Sequence, residues 1–369
     1  MITHTYFAPG RVNLIGEHID YNGGQVLPIA LSVGITAKVT YTNNSKIQIS
    51  SKEQPDVLTI DLLNETYQKR PQQWMNYPLG VIQQLIPQIN PYTAGFTAFL
   101  ESNLPVGSGL SSSASIEVLI ASILLQFDSA RSRADKAFIA QICQKAENDF
   151  IGVQCGIMDQ FAVALSKANH AMLLNCQNLH YNYVTFAPSN CMLVVMNTNK
   201  PRTLANSKYN ERKAECNQAL QEIQKHQNID YLCQTDFHWL AYIKDDILRR
   251  RAKHVITEHY RVTSAVNALK NQDWFNFGEL LTQSHQSLKD YFEVTGFELD
   301  TVVTAAINLP GCYGARMTGA GFGGCAIALV ETTKVNEFMN KVKASYDKKT
   351  GLSLQLFTTH AQNGVHLLQ

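Results

Sequence analysis

The sequence predicts an α+β protein built as two lobes. Three observations carry that reading. The chain has 369 residues, enough for two domains or one large two-lobed unit. Its first third alternates Val-, Ile- and Thr-rich segments of period two with segments of helical period. The pattern then restarts at Cys191 with an apolar run. A boundary is therefore expected near residue 190, giving units 1–190 and 191–369.

In chain order, residues 3–8 read as a short strand that Pro9-Gly10 should end. Residues 25–31, 33–42 and 46–51 read as strands of a mixed or antiparallel sheet. A helix is expected over 74–88, then a strand over 95–101, an apolar helix over 111–127 and another helix over 133–149. A short helix follows at 161–165. In the second unit, 191–197 reads as a strand. Helices are expected near 204–225, 236–251, 254–270 and 298–308. Strands at 313–318 and 325–331, a helix at 334–346 and strands near 353–359 and 364–368 complete the chain.

Composition excludes several classes. Apolar residues make up 45% of the chain and charged residues 17%, which is globular composition with ample core. A formal net charge of +1 leaves no broad electrostatic surface for nucleic acid or anionic lipid. The basic run Arg249-Arg250-Arg251 reads as the charged face of a helix. Eight cysteines lie scattered with no C-x-x-C spacing, which suggests neither a zinc site nor a redox dithiol. No apolar stretch approaches a membrane span, and no signal peptide is visible. The expectation is a cytoplasmic protein with reduced thiols.

Three stretches carry chemistry. Residues 104–116, Leu-Pro-Val-Gly-Ser-Gly-Leu-Ser-Ser-Ser-Ala-Ser-Ile, form a small-residue loop feeding a helix start. Free N–H groups and the positive end of the helix dipole suit a phosphate; an ordinary serine-capped helix would look similar. No Gly-Lys-Ser/Thr closes the loop, so it is not a Walker A loop. Residues 10–24 pack Arg11, Glu17, His18, Asp20 and Tyr21 between glycines. Alternating donors and acceptors suit sugar hydroxyls, and a salt-bridged turn is the plainer alternative. A glycine cluster, Thr318 to Gly324, is either a tight hairpin or a surface on which another backbone packs. Asp159, before the short helix, is either its N-cap or a general base.

Together these stretches resemble a known family. Gly10-Arg-Val-Asn-Leu-Ile-Gly-Glu-His-Ile-Asp-Tyr21 looks like the signature of galactokinases. Gly107-Ser-Gly-Leu-Ser-Ser-Ser-Ala114 and Met317-Thr-Gly-Ala-Gly-Phe-Gly-Gly324 resemble the phosphate loop and third motif of the galacto-, homoserine, mevalonate and phosphomevalonate (GHMP) kinases. Further matches include Trp74-Met-Asn-Tyr77 and Gly156-Ile-Met-Asp-Gln160. One departure is Pro78-Leu79 where many relatives carry Val-Lys, which puts the local helix start in question.

The resemblance implies a GHMP-kinase fold, with a mixed-sheet N-terminal lobe, a ferredoxin-like C-terminal lobe and the site between them. It implies transfer of phosphate from ATP to the anomeric hydroxyl of galactose, by a monomer, with no nucleic-acid or membrane partner. Arg11 would stabilise charge at the reacting centre and Asp159 would be the base. Glu17, His18, Ile19, Asp20, Gly156 and Tyr209 would bind the sugar together with Arg11 and Asp159. Gly107, Ser108, Gly109, Leu110, Ser111, Ser112 and Ser113 would wrap the ATP phosphates. Ser113 and Glu147 would hold Mg²⁺. The rival readings are an N-acetylgalactosamine kinase and a non-catalytic galactose and ATP sensor. Ser113-Ala114, Asp159 and Arg11 are all present, and they favour the enzyme over the sensor.

Overall fold

A computed structural model of the chain describes residues 3–105, 107–126, 133–201 and 205–368. Val106 of the small-residue loop, and the expected helix ends at Phe127 and Leu204, lie outside the described residues. The first half runs β1 (Thr3–Asn13), β2 (Gln25–Val26), β3 (Pro28–Tyr41), β4 (Lys46–Ser51), β5 (Gln54–Asp61), α1 (Gln73–Leu85), β6 (Phe96–Ser102), α2 (Ser112–Leu124), α3 (Arg133–Ala146), α4 (Met158–Leu165), β7 (His170–Asn175) and β8 (Tyr181–Thr185). The second runs β9 (Cys191–Asn197), α5 (Ala205–Gln224), α6 (Asp246–Lys270), α7 (Trp274–Ser287), α8 (Gly296–Ile307), β10 (Cys312–Thr318), β11 (Cys325–Glu331), α9 (Val335–Thr350), β12 (Gln355–Thr359) and β13 (His366–Leu367).

Three sheets organise these elements. The first has order β13-β1-β3-β6-β4-β5 and is mixed, because β4 pairs with β6 in parallel. The second has order β10-β11-β9-β12. Its strands pair antiparallel with helices crossing between them, which is the ferredoxin-like arrangement. A small sheet, β2-β7-β8, completes the first half. Helix α2 packs against β1 and β3, and its apolar residues from Ile116 to Leu124 are buried there.

Several expectations need correction. Pro9-Gly10 does not end the first strand. The register shifts between Pro9 and Arg11, so a bulge absorbs the proline and β1 continues to Asn13. That continuation brings Arg11 and Asn13 to the end of the sheet. The two helices expected over 236–251 and 254–270 are one helix, α6, preceded by a 3₁₀ turn at Phe237–Tyr242. Strands β5, β7 and β8 and helix α7 were not anticipated. Pro78 sits inside α1, and the helix starts at Gln73 and runs through it. Its missing N–H leaves the Trp74 carbonyl without its usual helical donor.

Candidate active site

The bulged end of β1, the α2 loop, the α3–α4 connection and the turn after β10 meet at one cleft of about 460 Å³. Arg11 stands at its centre. Its Nε donates to Asp159 Oδ1 at 2.8 Å and its Nη2 to Asp159 Oδ2 at 2.5 Å. Its Nη1 donates to the Gly109 carbonyl at 2.9 Å. The forked guanidinium thus ties the carboxylate of α4 to the loop before α2. Asp159 is not an N-cap. Its helix begins at Met158, and the Asp159 carboxylate faces Arg11 from the first turn.

The loop before α2 is not a plain serine-capped start either. Gly107, Gly109 and Ser111 all have positive φ, so the backbone coils tightly ahead of the helix. Ser111 occupies the cap position but does not cap. Its hydroxyl donates instead to Asp159 Oδ2 at 2.6 Å. Gly107, Gly109 and Ser111 to Ser113 line the cleft at the positive end of α2. Ser108 and Leu110 are buried behind them, and the Leu110 carbonyl accepts from the Arg11 backbone at 3.2 Å.

On the opposite wall lies the segment after β1. Asp20 presses against the backbone at Gly156: a Cβ there would sit 1.8 Å from Asp20 Oδ2. Only glycine leaves room for that carboxylate. Burial, and then the charge of Asp159, push the Asp20 carboxyl up to about 7. His18 has both ring nitrogens engaged. Nε2 faces the Ala320 carbonyl at 3.2 Å, so it carries the proton, and Nδ1 faces the Tyr21 hydroxyl at 2.9 Å. Burial holds His18 neutral, with its pKa lowered to about 3. Its ring lies 4.7 Å from Phe292 and 5.6 Å from Tyr209. Tyr209 lines the cleft from α5. Ile19 does not line it. Its side chain is fully buried, packed on Gly24, because the segment alternates between cleft and core.

Glu17 reaches the cleft with its carboxylate already surrounded. Oε1 accepts from the Gly319 backbone at 2.7 Å and Thr318 Oγ1 at 3.2 Å, and Oε2 accepts from Arg316 Nη1 at 3.1 Å and from Asn13. The glycine cluster is a packing surface: a Cβ on Gly319 would lie 3.3 Å from the Gly109 carbonyl, so the two glycine loops abut.

Glu147 closes the cleft from the start of a π-helical turn that ends α3. It is 7% exposed and accepts from Gln160 Nε2 at 2.7 Å. A hydrogen bond also links it to Ser113. Burial, and then Asp159, push its carboxyl up to about 7. Behind it, fully buried Glu117 meets the same Gln160 amide at 3.3 Å. The reading from sequence gave no role to Gln160, though it lay in a matching motif, and missed Glu117 and Arg316. All three are ionisable or amide groups inside apolar helix or strand patterns, which was the available signal. Among the described residues, Arg11 is the one permanent cation lining a cleft that carries Asp20, Glu147 and Asp159. The site is thus short of positive charge. No three His, Cys, Asp or Glu side chains among the described residues form a metal cage. One hydroxyl and one carboxylate fit Mg²⁺ shared with phosphates.

Comparisons with known proteins agree across the chain. The galactokinase galactose-binding signature matches residues 2–41, the GHMP kinases N terminal domain matches 76–167, and the GHMP kinases C terminal domain matches 265–348. A galactokinase of Clostridium tetani is 46% identical over 365 residues, covering 98% of this chain and 92% of that protein. One from Enterococcus faecalis is 43% identical over 371 residues, covering 99% and 95%. The solved structure of Lactococcus lactis galactokinase complexed with galactose superposes with a TM-score of 0.92 at 39% identity, covering 98% of this chain and 94% of that one. Mevalonate kinase of Methanococcus jannaschii shares the fold, with a TM-score of 0.69 at 20% identity.

Proposed function

The chain belongs to the galactokinase family of the GHMP kinases, and from that premise we propose that its cleft moves the terminal phosphoryl group of ATP to the anomeric hydroxyl of α-D-galactose, giving galactose 1-phosphate and ADP. The observation that carries the proposal is the forked pair of Arg11 and Asp159, joined by Ser111. It sits between a wall of sugar-type hydrogen-bonding groups and a loop suited to phosphates.

Phosphoryl transfer asks for positioning and charge neutralisation more than for covalent chemistry. The sugar lies against Asp20, His18, Tyr209 and the Gly156 backbone, with its anomeric hydroxyl toward Asp159. Asp159 accepts the proton that the hydroxyl loses. Arg11, already bonded to that carboxylate, offsets the charge that spreads onto the transferring group. The Gly107–Ser113 backbone and the start of α2 hold the phosphates. Ser113 and Glu147 would hold Mg²⁺, which when bound supplies positive charge to the phosphate oxygens. Eight free thiols fit a reducing cytoplasm where ATP is abundant.

The test is ADP release by the purified protein with MgATP and, in turn, D-galactose, N-acetylgalactosamine, 2-deoxygalactose, glucose and mevalonate. Turnover chiefly with galactose, yielding the 1-phosphate, is expected. Binding of galactose and ATP without turnover would make the protein a sensor. Preference for N-acetylgalactosamine would replace the sugar.

A further inference from the structure

Beneath the segment that follows β1 lies a buried ion cluster that phosphoryl transfer does not use. Arg316, on β10, has no exposed surface. Its Nη1 donates to the Leu14 carbonyl at 2.9 Å and to Glu17 Oε2 at 3.1 Å. Its Nη2 comes within 4.0 Å of Glu258 Oε1. Yet, among the described residues, Nε and Nη2 have no hydrogen-bond partner. Burying a guanidinium with two nitrogens unbonded is unfavourable, and an apolar side chain of similar volume would fill the space without that penalty. Packing alone does not account for the charge.

The charge is spent on position. Glu17 takes donors from Asn13 on β1 and from Arg316, Thr318 and Gly319 on and after β10. Four donors fill the acceptor sites of one carboxylate. Burial pushes the Glu17 carboxyl up, and Arg316 is the largest opposing influence. Glu258, on α6, grips the same segment from the other side. It accepts from the Gly16 backbone at 2.9 Å, Ser284 Oγ at 2.6 Å and Arg261 Nε at 2.7 Å. His254 Nε2 meets the Glu17 carbonyl at 3.1 Å. The sugar-side segment is therefore held by the second half of the chain, whereas Arg11 ties the phosphate loop to β1 and α4.

We propose that Arg316 is a positioning residue for galactose: it fixes Glu17, and Glu17 in turn fixes the Gly319–Ala320 turn against which His18 rests. The sugar half of the cleft is then assembled across both lobes, and the nucleotide half largely within one. This rests on the reading that the cleft takes galactose.

The test compares wild type with Arg316→Met, Arg316→Lys, Glu17→Gln and the double variant Glu17→Gln/Arg316→Met. It reads KM for galactose and for MgATP, kcat, galactose affinity by calorimetry, and melting temperature. Arg316→Met is expected to raise the galactose KM by ~10-fold or more while the MgATP KM moves by less than about twofold. The double variant is expected to lose less than the sum of its parts, because an amide at 17 no longer calls for the cation. If the methionine variant fails to fold, Arg316→Lys decides. It keeps the charge but loses the fork, and a selective rise in galactose KM supports the proposal. Equal shifts in both KM values, strict additivity, or an unchanged galactose KM in the lysine variant overturns it. A wild type that neither binds nor phosphorylates galactose overturns the proposed function and this proposal together. A galactose-active wild type with unaltered Arg316 variants overturns this proposal alone.

Discussion

Asp159 receives three hydrogen bonds, two from Arg11 and one from Ser111. Replacing it by asparagine keeps the shape and removes the proposed proton acceptor. The expected loss in kcat is ~10²- to 10⁴-fold, with an unchanged circular-dichroism spectrum. Gly156 gives a sharper spatial test. A methyl group there collides with Asp20, so Gly156→Ala should raise the galactose KM by roughly 10-fold while leaving the KM for MgATP near its wild-type value. Asp20 also predicts a pH dependence. Its folded pKa, about 7, lies above the unfolded one. Its contribution to the stability of the empty protein is therefore full below the unfolded value and is lost as pH rises through about 7. Sugar hydroxyls favour the ionised carboxylate, so the galactose KM should fall between pH 6 and 8, and Asp20→Asn should flatten that trend. At this scale the sequence marked the stretches that the fold brings together at the cleft. Arg11 and Asp159 lie 148 positions apart, and no local pattern pairs them; the family likeness did. The inward turn of Ile19 and the rearward placement of Leu110 follow from alternation along irregular loops, which composition does not reveal.

Among the elements, α6 shows how local chemistry sets a boundary. Asp245 accepts from the backbone N–H groups of Ile247 and Leu248 at 2.8 and 3.0 Å, which stops the preceding 3₁₀ turn from merging with the helix. Asp245→Ala should lower stability by ~1 kcal/mol in chemical denaturation and leave turnover untouched. Along the same helix Arg249 and Arg250 are part-exposed and pair with Asp246 and Glu293, as a charged helix face would, but Arg251 departs from that expectation: it is buried and bonded to Glu215, Glu293 and the Tyr291 carbonyl. Helices with a clear apolar period were legible to within a few residues. Strands were less so. β7 and β8 alternate weakly, and β5 carries mostly polar, exposed residues until Leu58 and Ile60. β1 was cut short because a proline weighs against a strand until its bulge is seen.

Across the whole molecule, the strand expected near 364–368 is β13, but its return to β1 was out of reach of the sequence, since no local pattern names a strand's partner. Tyr6 pairs with Leu367 and Phe7 with His366, the Leu368 backbone donates to the Thr5 carbonyl at 2.7 Å, and Val365 is fully buried. Removing residues 361–369 should lower the melting temperature by roughly 4 °C or more, although the deleted residues follow the second sheet. The same closure bears on biosynthesis. A ribosome delivers β1 well before β13. Until then the outer edge of β1 has no partner and offers its backbone groups to other nascent chains. Arg11 sits on that strand, so the strand that carries it is made before the partner that closes its outer edge. A chain cut before β13 should therefore be more prone to aggregate during synthesis than the full chain.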